Sequence, residues 1–204
     1  ILQKMASIMI LQESSQAAVL HATRGVNLAQ ELDEQAAHAR LLILLGDARQ
    51  QLGESADAIT AYSQAIDIAE KEDDHAAKAD AMMKLGFAQL DDDETDTAIQ
   101  TWNEALELCR ALEKRDCEGR ILGGLGTAYG ELERWSEAIN YHKSALYIAR
   151  EVNDAEEIAL QLSNLGFAAK QAGLKGEAVL RYRQALHMGY EIDDRDNIVT
   201  AIVD

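Results

Sequence analysis

Apolar residues return along this chain at helical spacings, and the strongest pattern among them is a pair, Leu-Gly. It occurs at Leu45-Gly46, Leu85-Gly86, Leu125-Gly126 and Leu165-Gly166, each 40 residues after the last. Leu42, Met82, Leu122 and Leu162 precede it by one helical turn and extend a single apolar stripe. Beyond each Gly comes a second stripe, Ala58-Tyr62-Ala65, Ala98-Trp102-Ala105, Ala138-His142-Ala145 and Ala178-Tyr182-Ala185. Offsets of four and three put its three members on one helix face. Each unit is therefore predicted to be two helices, with the ring of the second lying over the glycine of the first. A glycine inside a helix costs roughly 1 kcal/mol relative to alanine, so its return at one register calls for such a packing reason.

The constellation resembles the tetratricopeptide repeat. Leu122, Leu125, Gly126, Tyr129, Ala138 and Ala145 match that signature almost completely. The usual repeat is about 34 residues long and carries a proline near its end; here the period is 40 and the chain has no proline. Longer helices or a longer link must absorb the difference, as in the extended repeats of kinesin light chains and of Pins-type, Leu-Gly-Asn-rich adaptors. The resemblance implies an all-α fold, an α-solenoid in which antiparallel helix pairs wind into a right-handed superhelix. About eleven helices are expected in one domain.

The repeats are expected at residues 39–78, 79–118, 119–158 and 159–198, after a degenerate one at 1–38 and before a further first helix beginning within 199–204. The consecutive apolar residues Ile8 to Leu11 suggest that more protein, or another copy of the chain, covers this end, and a chain that stops inside a unit suggests a piece of a longer protein. Leu41 to Leu45 is apolar all round, as in a helix buried on more than one side. Ser55 is expected to cap the second helix of its unit, Asp74 to cap the next unit, and Asn153-Asp154 with Glu157 to form a capping box. Asp91 to Asp96 replaces the tight turn of the second full unit. Its acidity suggests a hard cation, but the spacing does not reproduce a calcium loop.

Charge narrows the function. A net charge of -17 argues against nucleic acid, whose phosphates need a basic face. Counted by unit from residue 39, the charge is -4, -7, -3 and 0, so the second full unit is the acidic centre and could orient a basic segment of a partner; the plainer reading is a solvated surface. No apolar run approaches the ~18 residues of a membrane span. Cys109 and Cys117 are too few for a disulfide framework and read as ordinary thiols of a reducing, cytoplasmic setting. The five histidines occupy five different registers, and no nucleophile motif or phosphate loop is present. No catalytic residue, metal or cofactor is expected, and His142 reads as a packed ring.

What remains is binding. In tetratricopeptide arrays the first helices line the concave face, and by register a groove here would use Arg40, Asp47, Gln50, Asp80, Met83, Phe87, Leu90, Arg120, Thr127, Leu160, Ser163, Phe167 and Lys170. Phe87 and Phe167, the only phenylalanines, share one register two units apart, either as groove anchors or as contacts between repeats. The Lys, Asn and Arg clamp by which family members grip chaperone tails is not matched: Ile43, Asp47 and Lys84 stand at such positions, and Asn164 alone has the right type. The leading expectation is a non-catalytic protein-interaction scaffold that holds a peptide or helical segment of a protein partner. The alternatives are a sensor or regulatory arm of a larger signalling protein, and self-association through the open ends.

Overall fold

A computed structural model of the chain describes residues 2–191, with side chains from 14 to 190. Among the described residues there are nine α-helices and no strand. They are α1 Leu2–Glu31, α2 Gln35–Gln51, α3 Ser55–Lys71, α4 His75–Asp91, α5 Thr95–Ala111, α6 Arg115–Glu131, α7 Trp135–Glu151, α8 Ala155–Gln171 and α9 Lys175–Glu191. The count is below the expected eleven. The degenerate first unit contributes one continuous helix of 30 residues instead of a pair, and the further helix expected at 199–204 lies outside the described residues.

From α2 to α9 every helix is 17 residues long. The six residues beyond the usual repeat are thus taken up by the helices, and the links are uniform. Each link turns on a residue of positive φ, at Asp33, Gly53, Asp73, Asp93, Glu113, Glu133, Asn153 and Gly173. The following residue donates its N–H back across the helix end, as from Glu54 to the Arg49 carbonyl at 3.0 Å and from Arg134 to Tyr129 at 2.8 Å. That is a Schellman closure, which satisfies carbonyls the helix leaves unpaired. The same residue is the N-cap of the next helix, its carbonyl accepting from Ala58 or Ala138 at 3.0 Å. One residue therefore ends one helix and starts the next. Three expectations change accordingly. Ser55 is the first residue of α3, behind the N-cap Glu54; the acidic stretch at Asp91 forms the same link as elsewhere; and Asp154 caps α8 by accepting from the Glu157 N–H, while the Glu157 side chain turns instead to Gln161. Asp74 caps α4 as expected, accepting from Ala77 N–H at 2.9 Å.

The helices gather into two compact units, Ile1–Leu108 and Cys109–Asp204. In the first, Leu42, Ile43, Ala58, Tyr62, Ala65, Ala81, Leu85 and Ala88 form one core, with Ala22, Leu45 and Ala61 joining α1 to it. Leu44 escapes, 57% exposed, so the apolar run in α2 is buried on one broad face only. In the second, Ala138, Ile139, Leu146, Leu162, Leu165, Ala168, Ala178 and Ala185 pack with Trp135 and Tyr182 at the edge. The ring-over-glycine packing is present in all four pairs. A Cβ would lie 2.5 Å from Tyr62 at Gly46, 2.6 Å from His142 at Gly126, 2.8 Å from Tyr182 at Gly166, and inside Trp102 at Gly86. No real Cβ tolerates such distances, so the glycine lets two helices approach to a separation no other residue permits.

Cys109, at the end of α5, and Cys117, in the first turns of α6, are joined across the link with their Cα atoms 6.0 Å apart. The expectation of two separate thiols is corrected. They stand eight positions apart in sequence, but helix, turn and helix fold that stretch back on itself.

Candidate functional site

The second unit encloses a cavity of about 310 Å³ between α6, α7 and α8, lined by Gly126, Thr127, Gly130, Glu131, Trp135, Ala138, His142, Asn164, Phe167 and Ala168. Its origin is local. Gly126 and Gly130, one turn apart on α6, leave room between the Thr127 and Glu131 side chains, and Ala138 and Ala168 add little bulk from α7 and α8. Trp135, at the first position of α7, and Phe167, on α8, meet edge to face with centroids 6.0 Å apart. Phe167 is 44% exposed, and Trp135 is half-buried, so the two rings form a wall that solvent reaches.

Behind this wall runs a buried polar chain. The Glu157 carboxylate accepts from Gln161 Nε2 at 2.7 Å, and Gln161 Oε1 lies 2.7 Å from His142 Nδ1. Gln161 and His142 are 2% and 3% exposed. Room for the amide comes from Gly123, where a Cβ would sit 2.6 Å from Gln161 Nε2. Burial pushes the His142 imidazole pKa below its ordinary value, with the Gln161 hydrogen bond acting in the opposite direction, so the ring is neutral near pH 7.

The corresponding place in the first unit is filled and self-satisfied. Phe87 is half-buried and packs edge-on against Trp102, centroids 4.9 Å apart, while the indole N–H of Trp102 donates to the Met83 carbonyl at 3.0 Å. At the other pair of helices, Tyr62 OH donates to Asp47 at 2.7 Å, Lys84 Nζ reaches both Asp47 oxygens at 2.9 and 3.0 Å, and Gln50 Nε2 donates to Asp91 at 2.8 Å. A more open concavity of about 460 Å³ lies beside α1 and α2, lined in part by His21, Leu41, Leu44 and Gln51.

Comparison with known families decides the identity. Tetratricopeptide repeat matches cover residues 37–111, 77–151 and 118–188, well over half of the chain. The chain belongs to the tetratricopeptide repeat family. No curated protein matches its sequence. Similar solved structures include BtubC (BKLC) from P. vanneervenii, with a TM-score of 0.78 at 17% identity over 92% of this chain and 81% of that one. The Rap conjugation gene regulator of plasmid pLS20, in complex with the Phr* peptide, gives 0.76 at 17% over 92% and 53%. A signal transduction ATPase with numerous domains and a tetratricopeptide repeat sensor, from Pyrococcus horikoshii, gives 0.73 at 18% over 91% and 30%. The chain thus spans about half of the Rap regulator and under a third of the ATPase, and the likeness is one of fold.

Within this tetratricopeptide array the expected groove residues separate. Thr127 and Phe167 line the cavity, together with Asn164. Ser163 sits one turn before Phe167 on α8, its buried hydroxyl without a hydrogen-bond partner. Arg40, Arg120, Leu160 and Lys170 are exposed, and Asp80 and Leu90 are half-buried. Asp47 and Gln50 are already engaged as described. Met83 differs from the expectation: it is 3% exposed, a core residue whose backbone carbonyl accepts from the Trp102 indole. Trp135, Gln161 and Gly123 were not singled out by register. Their signals exist all the same, in a polar Gln161 where other units have Leu41, Ala81 and Ile121, and in a Gly123-Gly124 doublet found in no other unit. Among the described residues, no three His, Cys, Asp or Glu side chains gather as a metal site would require, and no helix is long and apolar enough to cross a membrane.

Proposed function

We propose that this tetratricopeptide array is a non-catalytic interaction module that holds a peptide-like segment of a protein partner, with one large side chain of that segment anchored in the cavity between α6, α7 and α8. The observation that carries the reading is Phe167. A phenylalanine left 44% exposed beside a half-buried tryptophan, at the mouth of a largely apolar cavity, is the kind of surface that a bound side chain covers. Asn164, at the same mouth, is the polar group suited to a peptide backbone. The Rap regulator, similar in fold, was solved with a peptide, which supports the class of ligand. The acidic repeat at residues 79–118, with a net charge of -7, favours a partner that also carries basic residues.

The regulatory-arm reading keeps one specific support, the similarity to an ATPase that carries a tetratricopeptide sensor. Self-association would use the exposed Val179, Leu180 and Tyr190 of α9. A cytoplasmic setting is part of the proposal; the Cys109–Cys117 pair is the feature that an oxidising compartment would use instead.

Selection of a displayed random-peptide library on the wild type, followed by affinity measurement on Phe167→Ser, tests the groove. Phe167 is exposed enough that this variant should fold, which circular dichroism checks. Selected peptides are expected to lose at least about tenfold in affinity on the variant, the loss of one buried aromatic anchor. Peptides that bind both proteins equally, or a selection that enriches nothing, would overturn the reading.

A further inference from the structure

First helix packs against first helix in this array, α4 on α2 and α8 on α6, whereas α2 has no first helix before it. Register shows the gap. Ala58, Ala98, Ala138 and Ala178 are at most 4% exposed, but Ala18, at the same register of α1, is exposed. Leu41 is half-buried where Ala81 and Gln161 are buried, and Leu44 is 57% exposed where Lys84 and Asn164 are half-buried. Ala18, Leu41 and Leu44 line the concavity of about 460 Å³ beside α1 and α2, together with Ala22 and Ala48. That concavity is the slot a first helix would occupy in a complete unit. Such a helix exists in the sequence: residues 2–13 carry its register, with Met5-Ala6 at the place of Leu45-Gly46. The segment matches the slot in size as well. Other units set a ring over a glycine, as Tyr62 over Gly46, whereas here the pair is Ala22 and Ala6. A smaller side chain on one helix leaves room for the methyl group on the other. Yet the segment does not fold back. Links recur every twenty residues, from Gly173 down to Asp33, which places the next at Glu13, and α1 runs unbroken through that position from Leu2 to Glu31. At 1.5 Å per residue, residues 2–13 reach about 18 Å along the α1 axis, away from their own slot.

We propose that two copies of the chain exchange these segments, residues 2–13 of each lying in the slot between α1 and α2 of the other, in a symmetric domain-swapped dimer. The inference is independent of the peptide-groove reading and concerns α1 and α2 alone. The occupant is the segment whose register and side-chain sizes the slot already matches. It is also a helix in need of cover: Lys4 and Glu13 are its only charged residues, and Ile8 to Leu11 are apolar on every side. One association therefore covers four apolar surfaces, two segments and two slots, each of which would otherwise be left to water. A dimer presents every binding surface of the chain twice, which raises the avidity for a partner that repeats its own motif.

Sedimentation equilibrium of the whole chain over a concentration series is expected to show a species of twice 22.4 kDa. Leu44→Glu puts a charge into the slot at an exposed position, and is expected to give the mass of a single chain with the helix signal in circular dichroism unchanged. The route of exchange is read with Ala6→Cys and Ala22→Cys in one chain, mildly oxidised and run on a non-reducing gel beside the parent chain. The two positions lie about 24 Å apart along one continuous α1, so the expected bond is between chains. A single-chain mass for the wild type, or a Leu44→Glu protein that stays dimeric, overturns the proposal. So does a doubly substituted chain that forms no bond between copies, or one that closes within itself, which would mean that residues 2–13 fold back into their own slot.

Discussion

At Gly126 a missing side chain serves two neighbours at once: it lets His142 close over α6, and it leaves room in the cavity on the α6 side. Gly126→Leu would drive carbon into the imidazole, and overpacking of this kind costs about 1–3 kcal/mol. The expected result is a lower urea midpoint; an unchanged one would contradict the packing of α6 on α7. Tyr62 is the other residue with a measurable signature. Burial first, then the hydrogen bond and negative charge of Asp47, push its phenol above the ordinary 10.0. Above that pH the unfolded chain gives up the phenolic proton while the folded chain keeps it, so the folded state binds more protons and stability falls as pH rises. Tyr62→Phe is expected to cost about 1.5–3 kcal/mol at neutral pH, the worth of a hydrogen bond to a charged group. It should also flatten the decline in stability between pH 9 and 11, followed by urea unfolding. At this scale the signature face was legible, since Ala, ring and Ala recur at fixed offsets. The role of His142 was not, because a packed ring and a hydrogen-bonded ring look alike until Gln161 and Glu157 are seen beside it.

Helices of one length with links of one kind give the array a half-period of twenty residues that the side chains conceal. The left-handed position holds Asp, Gly, Asp, Asp, Glu, Glu, Asn and Gly in turn, and only the two glycines announce it. The backbone repeats where the sequence does not, because Schellman closure asks for a φ and two N–H groups and for no particular side chain. Left-handed backbone costs a non-glycine residue about 1–2 kcal/mol, least for Asn and Asp. Glu133, exposed at φ 56, is the least suited of these positions together with Glu113. Glu133→Gly is expected to stabilise the protein by about 1 kcal/mol, read as a higher urea midpoint; no gain would mean that the glutamate side chain supplies something the link needs. The same uniformity explains why the acidic stretch from Asp91 forms an ordinary link: only Asp93 has a constrained backbone there, and its neighbours face solvent.

Over the whole molecule, a 40-residue recurrence determined the class of fold and family, because one period of Leu-Gly against a ring is enough to specify a helix pair. The same recurrence set which helix faces are buried, since hydrophobic burial follows spacing alone. It could not rank the units. Phe87 and Phe167 share a register, yet one packs on the indole of its own pair and the other stands exposed beside a tryptophan that comes from the first turn of α7. Nor could it show that Cys109 and Cys117 meet, or that Met83 is covered. Each of these depends on which side chains from three different helices arrive at one point. Periodicity fixes the direction in which a residue faces along its own helix, whereas a cavity, a cross-link or a buried polar chain is a property of the space between helices, and only the tertiary structure decides what fills it.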